Sequence, residues 1–142
     1  MKKVLNLAAT ALAAALAMPA QAQTEIQWWH SMGGALGEWV NDLAKDFNAS
    51  QKEYKIVPTF KGSYDESMTA AIAAFRAGNA PHILQVFEVG TATMMASKNA
   101  IVPVGDVMKK AGVTFDPNAY VPAVAGYYTA PNGQMLSFPL NS

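Results

Sequence analysis

The spacing of apolar residues changes along the chain, and each change marks an element. Val4 to Met18 is an almost unbroken apolar run rich in Ala and Leu. It follows Lys2-Lys3, ends at Pro19 and leads into Ala20-Gln21-Ala22. A basic start, a short apolar run and an A-x-A site predict a secretory signal peptide with cleavage after Ala22. The run is too short for a spanning helix, and no stop-transfer segment follows it. No twin-Arg pair precedes it, so export of an unfolded chain is expected. Residues 1–22 are read as a leader and residues 23–142 as the exported chain.

Beyond the leader, strand-like and helix-like patterns take turns. Ile26-Gln27-Trp28-Trp29-His30 predicts a strand ending at Ser31-Met32-Gly33-Gly34. Leu36, Trp39, Val40, Leu43 and Phe47 then recur at helical spacing, with Glu38, Asp42, Lys45 and Asp46 on the opposite face. Tyr54 to Phe60 returns to strand character, and Pro58 places it at a strand end or a sheet edge. Ser63-Tyr64-Asp65-Glu66 has capping-box spacing and opens a helix carrying Met68, Ile72 and Phe75. Gly78-Asn79 and Pro81 stop that helix. Ile83 to Phe87 is nearly continuous in apolar character, as a buried parallel strand would be. Short helices are expected at Thr91 to Lys98 and at about Gly105 to Ala111, followed by a Tyr- and Pro-rich stretch at 117–128. Asn132-Gly133 predicts a hairpin turn between Gly126-Tyr127-Tyr128 and Gln134 to Phe138.

The order βαβαβα implies an α/β fold with a mainly parallel sheet flanked by helices and right-handed crossovers. Ligands of such sheets sit beyond the carboxyl ends of the strands. Three segments leave that edge: Trp29 to Gly34, Lys61 to Tyr64, and Glu88 to Thr91. Each opens a helix, and helix N-termini suit an anion. Glu88, leaving a strand, suits hydroxyl groups. A small anionic polyol would satisfy both demands.

Charge and composition narrow the chemistry. There is no Cys, which excludes a disulfide framework, a Cys nucleophile and Cys metal sites in an exported chain. The 10 basic and 10 acidic residues become mildly acidic in balance once Lys2 and Lys3 leave with the leader. No basic stripe is present, so no nucleic-acid partner is expected. His30 and Ser31 are adjacent on a strand and so face opposite ways, and no G-x-S-x-G elbow accompanies them. His30 is read as a capping or cleft-edge residue. His82 is isolated and read as structural. Of Trp28 and Trp29, one should be core while the other could line the cleft. Asp42 and Asp46 read as a solvated face, and Met94, Met95 and Met108 as packing residues. Tyr64 and Glu88 stand where a strand meets a helix on the ligand edge, and are the candidate functional residues.

Several segments carry a resemblance to a known family. Trp29-His30-Ser31-Met32, Tyr54 to Thr59, Ala73 to Pro81, Glu88 to Lys98 and Val124 to Tyr128 resemble the periplasmic glycerol-3-phosphate-binding proteins of ABC importers. Glu88 to Lys98 is the most specific of them. The resemblance implies a two-lobed, hinge-closing binding protein that delivers sn-glycerol-3-phosphate or its diesters to a membrane permease. It implies ligand roles for Tyr64, Glu88 and Ser142, with Glu88 taking the glycerol hydroxyls. It also implies a monomer in the periplasm, no cofactor and no catalysis. Asn99 looks like an insertion relative to the family, and Thr129 to Gln134 a shortened turn. Family members are about three times longer, so 23–142 is expected to be the first lobe alone, without the second lobe's aromatic platform and phosphate-clamping arginine. Such a lobe should be unstable or bind weakly by itself. A neutral-sugar binder and a secreted glycerophosphodiester hydrolase are the alternatives. The hydrolase would need a metal cluster or a nucleophile–base pair that this pattern does not supply.

Overall fold

The computed structural model describes residues 22–97, 99–114 and 116–140. The leader reading (residues 1–22) therefore lies almost entirely outside the described residues, and so does Ser142. Three parallel strands form one sheet in the order β2-β1-β3. They are β1 (Thr24–His30), β2 (Tyr54–Phe60) and β3 (Ile83–Leu84). Helix α1 (Gly34–Ser50) joins β1 to β2, and α2 (Tyr64–Arg76) joins β2 to β3. Three shorter helices follow: α3 (Glu88–Ala96), α4 (Val104–Lys110) and α5 (Pro122–Tyr127). Among the described residues no helix is long and apolar enough to cross a membrane. The α/β class with a parallel sheet flanked by helices is as expected.

β1 sits in the middle because its register pairs Thr24 to His30 with Tyr54 to Phe60 on one side and Trp28-Trp29 with Ile83-Leu84 on the other. Pro58 is compatible with this arrangement because β2 is an edge strand and the missing N–H faces no third strand. The outer edge of β2 is not bare. The Asn48 side chain of α1 donates to the Ile56 carbonyl at 2.9 Å and accepts from the Ile56 amide at 2.7 Å.

Trp28, Met32 and Val40 form the buried cluster, with Ile56 packed against it, so α1 covers the Trp28 face of the sheet. Only Val40 and Ala44 of α1 are fully buried. Leu36, Trp39, Leu43 and Phe47 of the expected apolar face remain 40–49% exposed. A three-stranded sheet is too narrow to cover the whole stripe of a helix of 17 residues. Of the tryptophan pair, Trp28 is the core residue and Trp29 is half-buried.

Two expectations need correction. The third strand is shorter than Ile83 to Phe87, and Ile83 and Phe87 are exposed rather than buried. Side chains replace the strand at both of its ends. His82 accepts from the Gln27 amide through Nδ1 at 3.0 Å, and Gln85 accepts from the Ser31 amide through Oε1 at 2.9 Å. The second correction concerns the hairpin. The turn forms, and Gly133 takes a φ of 83°. Pairing is limited to one antiparallel bridge, Thr129 to Met135. Pro122 opens α5, which absorbs Gly126 and Tyr127 into a helix. On the other arm, the carbonyls of Met135 and Leu136 accept from Gly105 and Val104 at the start of α4, at 3.1 and 3.2 Å. Asn99 adopts a φ of 63°, a conformation Asn tolerates better than most residues.

Candidate functional site

The chain passes from the central β1 to β2 on one side and then crosses back to lay β3 on the other side. The chain order thus reverses at the carboxyl ends of β1 and β3, the place where doubly wound sheets hold their ligands. Three helix starts surround it.

The start of α1 is open. Its N-cap, Gly33, offers no side-chain bond, and its first turn carries no acidic residue. Gly34 follows with a φ of 53°, which a side chain would strain. The free amides and the helix dipole are left for an acceptor from outside. The start of α2 is closed. Ser63 and Glu66 form the expected capping box, with the Ser63 amide donating to Glu66 Oε2 at 2.7 Å and the Glu66 amide donating to Ser63 Oγ at 3.3 Å. The Ser63 backbone and hydroxyl bonds hold the Glu66 carboxyl below the ordinary carboxylate value. Gly62, at a φ of 79°, is needed there, because a Cβ would run into that carboxylate. The start of α3 has no side-chain cap, and Glu88 is its first residue.

Tyr64 and Glu88 both lie on this edge. Their link is Phe87: its ring stacks on Tyr64 with centroids 4.9 Å apart and planes 22° from parallel. Tyr64, Asp65, Met68, Phe87 and Thr93 line a depression of about 440 Å³ between α2 and α3. With Asp65 on its wall and no cation, it suits a hydroxylated carbon rather than an anion. Glu88 does not line it. Its carbonyl accepts from the Tyr127 hydroxyl. The Tyr128 phenol is pushed up from its ordinary value, first by burial and then by the neighbouring Tyr127 and Glu88. Glu88 therefore lies toward the Tyr127-Tyr128 pair, and Tyr64 lies on the depression beyond Phe87.

His30 is buried rather than exposed at the cleft edge. It is 3% exposed, with its ring 6.1 Å from both Trp28 and Phe60 and its Nδ1 without a partner among the described residues. Burial lowers its pKa from the ordinary 6.5, and a backbone contact with Met32 partly offsets this. The residue shares the Trp28 face because the two are two positions apart on one strand. Lys61, in a segment already placed on the edge, has its ammonium 3.8 Å above the Trp29 ring. Phe87 and Gln85 are additions to the edge. Gln85 had a visible signal, a polar residue inside an apolar run.

The profile of the bacterial extracellular solute-binding proteins matches residues 33–142. The chain belongs to that family. Solute-binding proteins similar to it include the sn-glycerol-3-phosphate-binding periplasmic protein UgpB of Rhizobium meliloti (strain 1021), 52% identical over 94% of this chain and 31% of the relative. The protein of the same name from Brucella abortus (strain 2308) is 53% identical over 93% of this chain and 30% of its own length. That of Escherichia coli O6:K15:H31 (strain 536 / UPEC) is 58% identical over 99% of this chain and 32% of its own length. The chain thus spans about a third of the length of the curated relatives it matches. These relatives are named as binding proteins. For a solute-binding protein, the carboxyl ends of the strands are where a ligand is to be sought.

Proposed function

We propose that this chain forms the first lobe of a periplasmic protein that captures sn-glycerol-3-phosphate, or its diesters, for an ABC import permease. The observation carrying this reading is identity of 52–58%, over 93–99% of the chain, to relatives named for that ligand. The chemistry of the edge agrees with it. The Tyr64 phenol and the Glu88 carboxylate offer hydrogen bonds to glycerol hydroxyls on either side of Phe87. The open start of α1 and the Lys61 ammonium offer positive potential to a phosphate. Ser142 would add a third ligand side chain. In this reading residues 1–22 are the export leader and residues 23–142 form the lobe. The ligand is bound and released unchanged, and the working form is a monomer.

The test is calorimetric titration of the full-length exported protein with sn-glycerol-3-phosphate, glycerol, inorganic phosphate and maltose. Tight binding of the first ligand alone is expected. Glu88→Ala and Tyr64→Phe should each weaken it about tenfold or more, the loss of one to two hydrogen bonds to a desolvated ligand. Preference for maltose would overturn the reading. N-terminal sequencing of the periplasmic form should begin at Gln23.

A further inference from the structure

β3 gives way to α3 within three residues, and the first residue of that helix is Glu88. Two contacts from distant parts of the chain hold this hand-over. On one side is Gln85, only 9% exposed. Its amide N–H donates to the Trp29 carbonyl at 2.9 Å, and its side-chain Oε1 accepts from the Ser31 N–H at 2.9 Å. The donor fixes which end of the carboxamide is which, because a main-chain N–H requires an acceptor. The side chain thereby supplies the bond that a strand carbonyl would have made. The backbone is free to leave the sheet toward α3 while Ser31 stays satisfied.

On the other side is Tyr127, whose hydroxyl donates to the Glu88 carbonyl across 39 residues of sequence. The Gln85 main-chain bond continues the β1–β3 pairing, whereas its side-chain bond to Ser31 and the Tyr127 bond belong to no strand ladder and no helix. Helix α3 has only 9 residues and no side-chain cap, and within it the first turn is held by the Gly90 amide and Thr91 hydroxyl donating to the Phe87 carbonyl at 2.9 and 3.1 Å. Beside the Tyr64 ring stacked on Phe87, two hydrogen bonds from outside hold the turn, at Gln85 before Glu88 and at Tyr127 upon it.

We propose that Gln85 and Tyr127 form a two-point clamp whose role is to position Glu88 for the ligand; this rests on the ligand role given to Glu88 above. Both are positioning residues and need not touch the solute. Their effect runs through the placement of one carboxylate, so it must vanish when that carboxylate is gone. A merely structural role would not show this dependence.

The experiment is a double-mutant cycle in the full-length protein, read as the Kd for sn-glycerol-3-phosphate alongside the melting temperature. Tyr127→Phe removes one hydroxyl from a half-exposed ring. Gln85→Met removes the acceptor at similar size. With Glu88 present, each should raise Kd about fivefold; in Glu88→Ala, each should change it by less than about twofold. Tyr127→Phe keeps the test decisive if Gln85→Met fails to fold. Wild-type affinity in the folded variants would overturn the clamp, and so would losses that persist undiminished in Glu88→Ala. A wild-type protein that does not bind sn-glycerol-3-phosphate would instead sink the functional reading, and the clamp with it.

Discussion

Helices α1 and α2 start from the same edge of one sheet and are finished in opposite ways. At α2, Ser63, Asp65 and Glu66 supply an acceptor and negative charge from within the chain. At α1, Gly33 and Gly34 supply neither. A helix start filled by its own carboxylates gains stability and has nothing left for an outside anion. A start left empty costs stability and keeps its amides available. The contrast separates an end finished by its own chain from one left open to an outside acceptor.

Gly33→Asp should blur that contrast most strongly. Gly33 has the extended conformation of an N-cap, and nothing lies within 4 Å of a Cβ built there. The new carboxylate would occupy the amides of α1. The melting temperature should rise while the Kd for sn-glycerol-3-phosphate increases about tenfold. A variant that is more stable and binds unchanged would show that the open start is not used. The converse change, Ser63→Ala, dismantles the capping box. A loss of about 1 kcal/mol in denaturant unfolding is expected, with ligand affinity unaltered.

The smallest effect concerns acidity. His30 is held below its ordinary value of 6.5 by burial, so the unfolded chain takes up the proton more readily than the folded one. Its contribution to stability is complete above about pH 6.5 and is lost as the pH falls through the folded value. The melting temperature should therefore decline from about pH 7 to about pH 5, and less so in His30→Phe. Glu66, held below 4.5, adds little to that window.

What the sequence revealed was mostly local. The capping box at Ser63 and Glu66, the edge position of Pro58 and the extent of β2 follow from chemistry within a few residues. The edge positions of Tyr64 and Glu88 were legible for the same reason, because each stands where one periodicity gives way to another. The misses involve partners far apart in sequence. β3 was expected to run to Phe87, since an apolar run does not announce that Gln85 will reach back to Ser31. The hairpin was expected to extend, since nothing nearby shows that α4 takes the Met135 and Leu136 carbonyls. His30 was read as a capping or cleft-edge residue, yet strand alternation turns it inward beside Trp28. The Tyr127 contact with Glu88 has no local signature at all.

The outermost strand of this lobe has its own guard. Through one side chain of α1, Asn48, the Ile56 amide and carbonyl are both occupied on the side where another chain would have to add its own strand. A protein read here as crossing a membrane unfolded, and so regaining its shape among many other newly arrived chains, gains from this. As soon as α1 docks, an edge that could seed β-aggregation is already paired within the molecule.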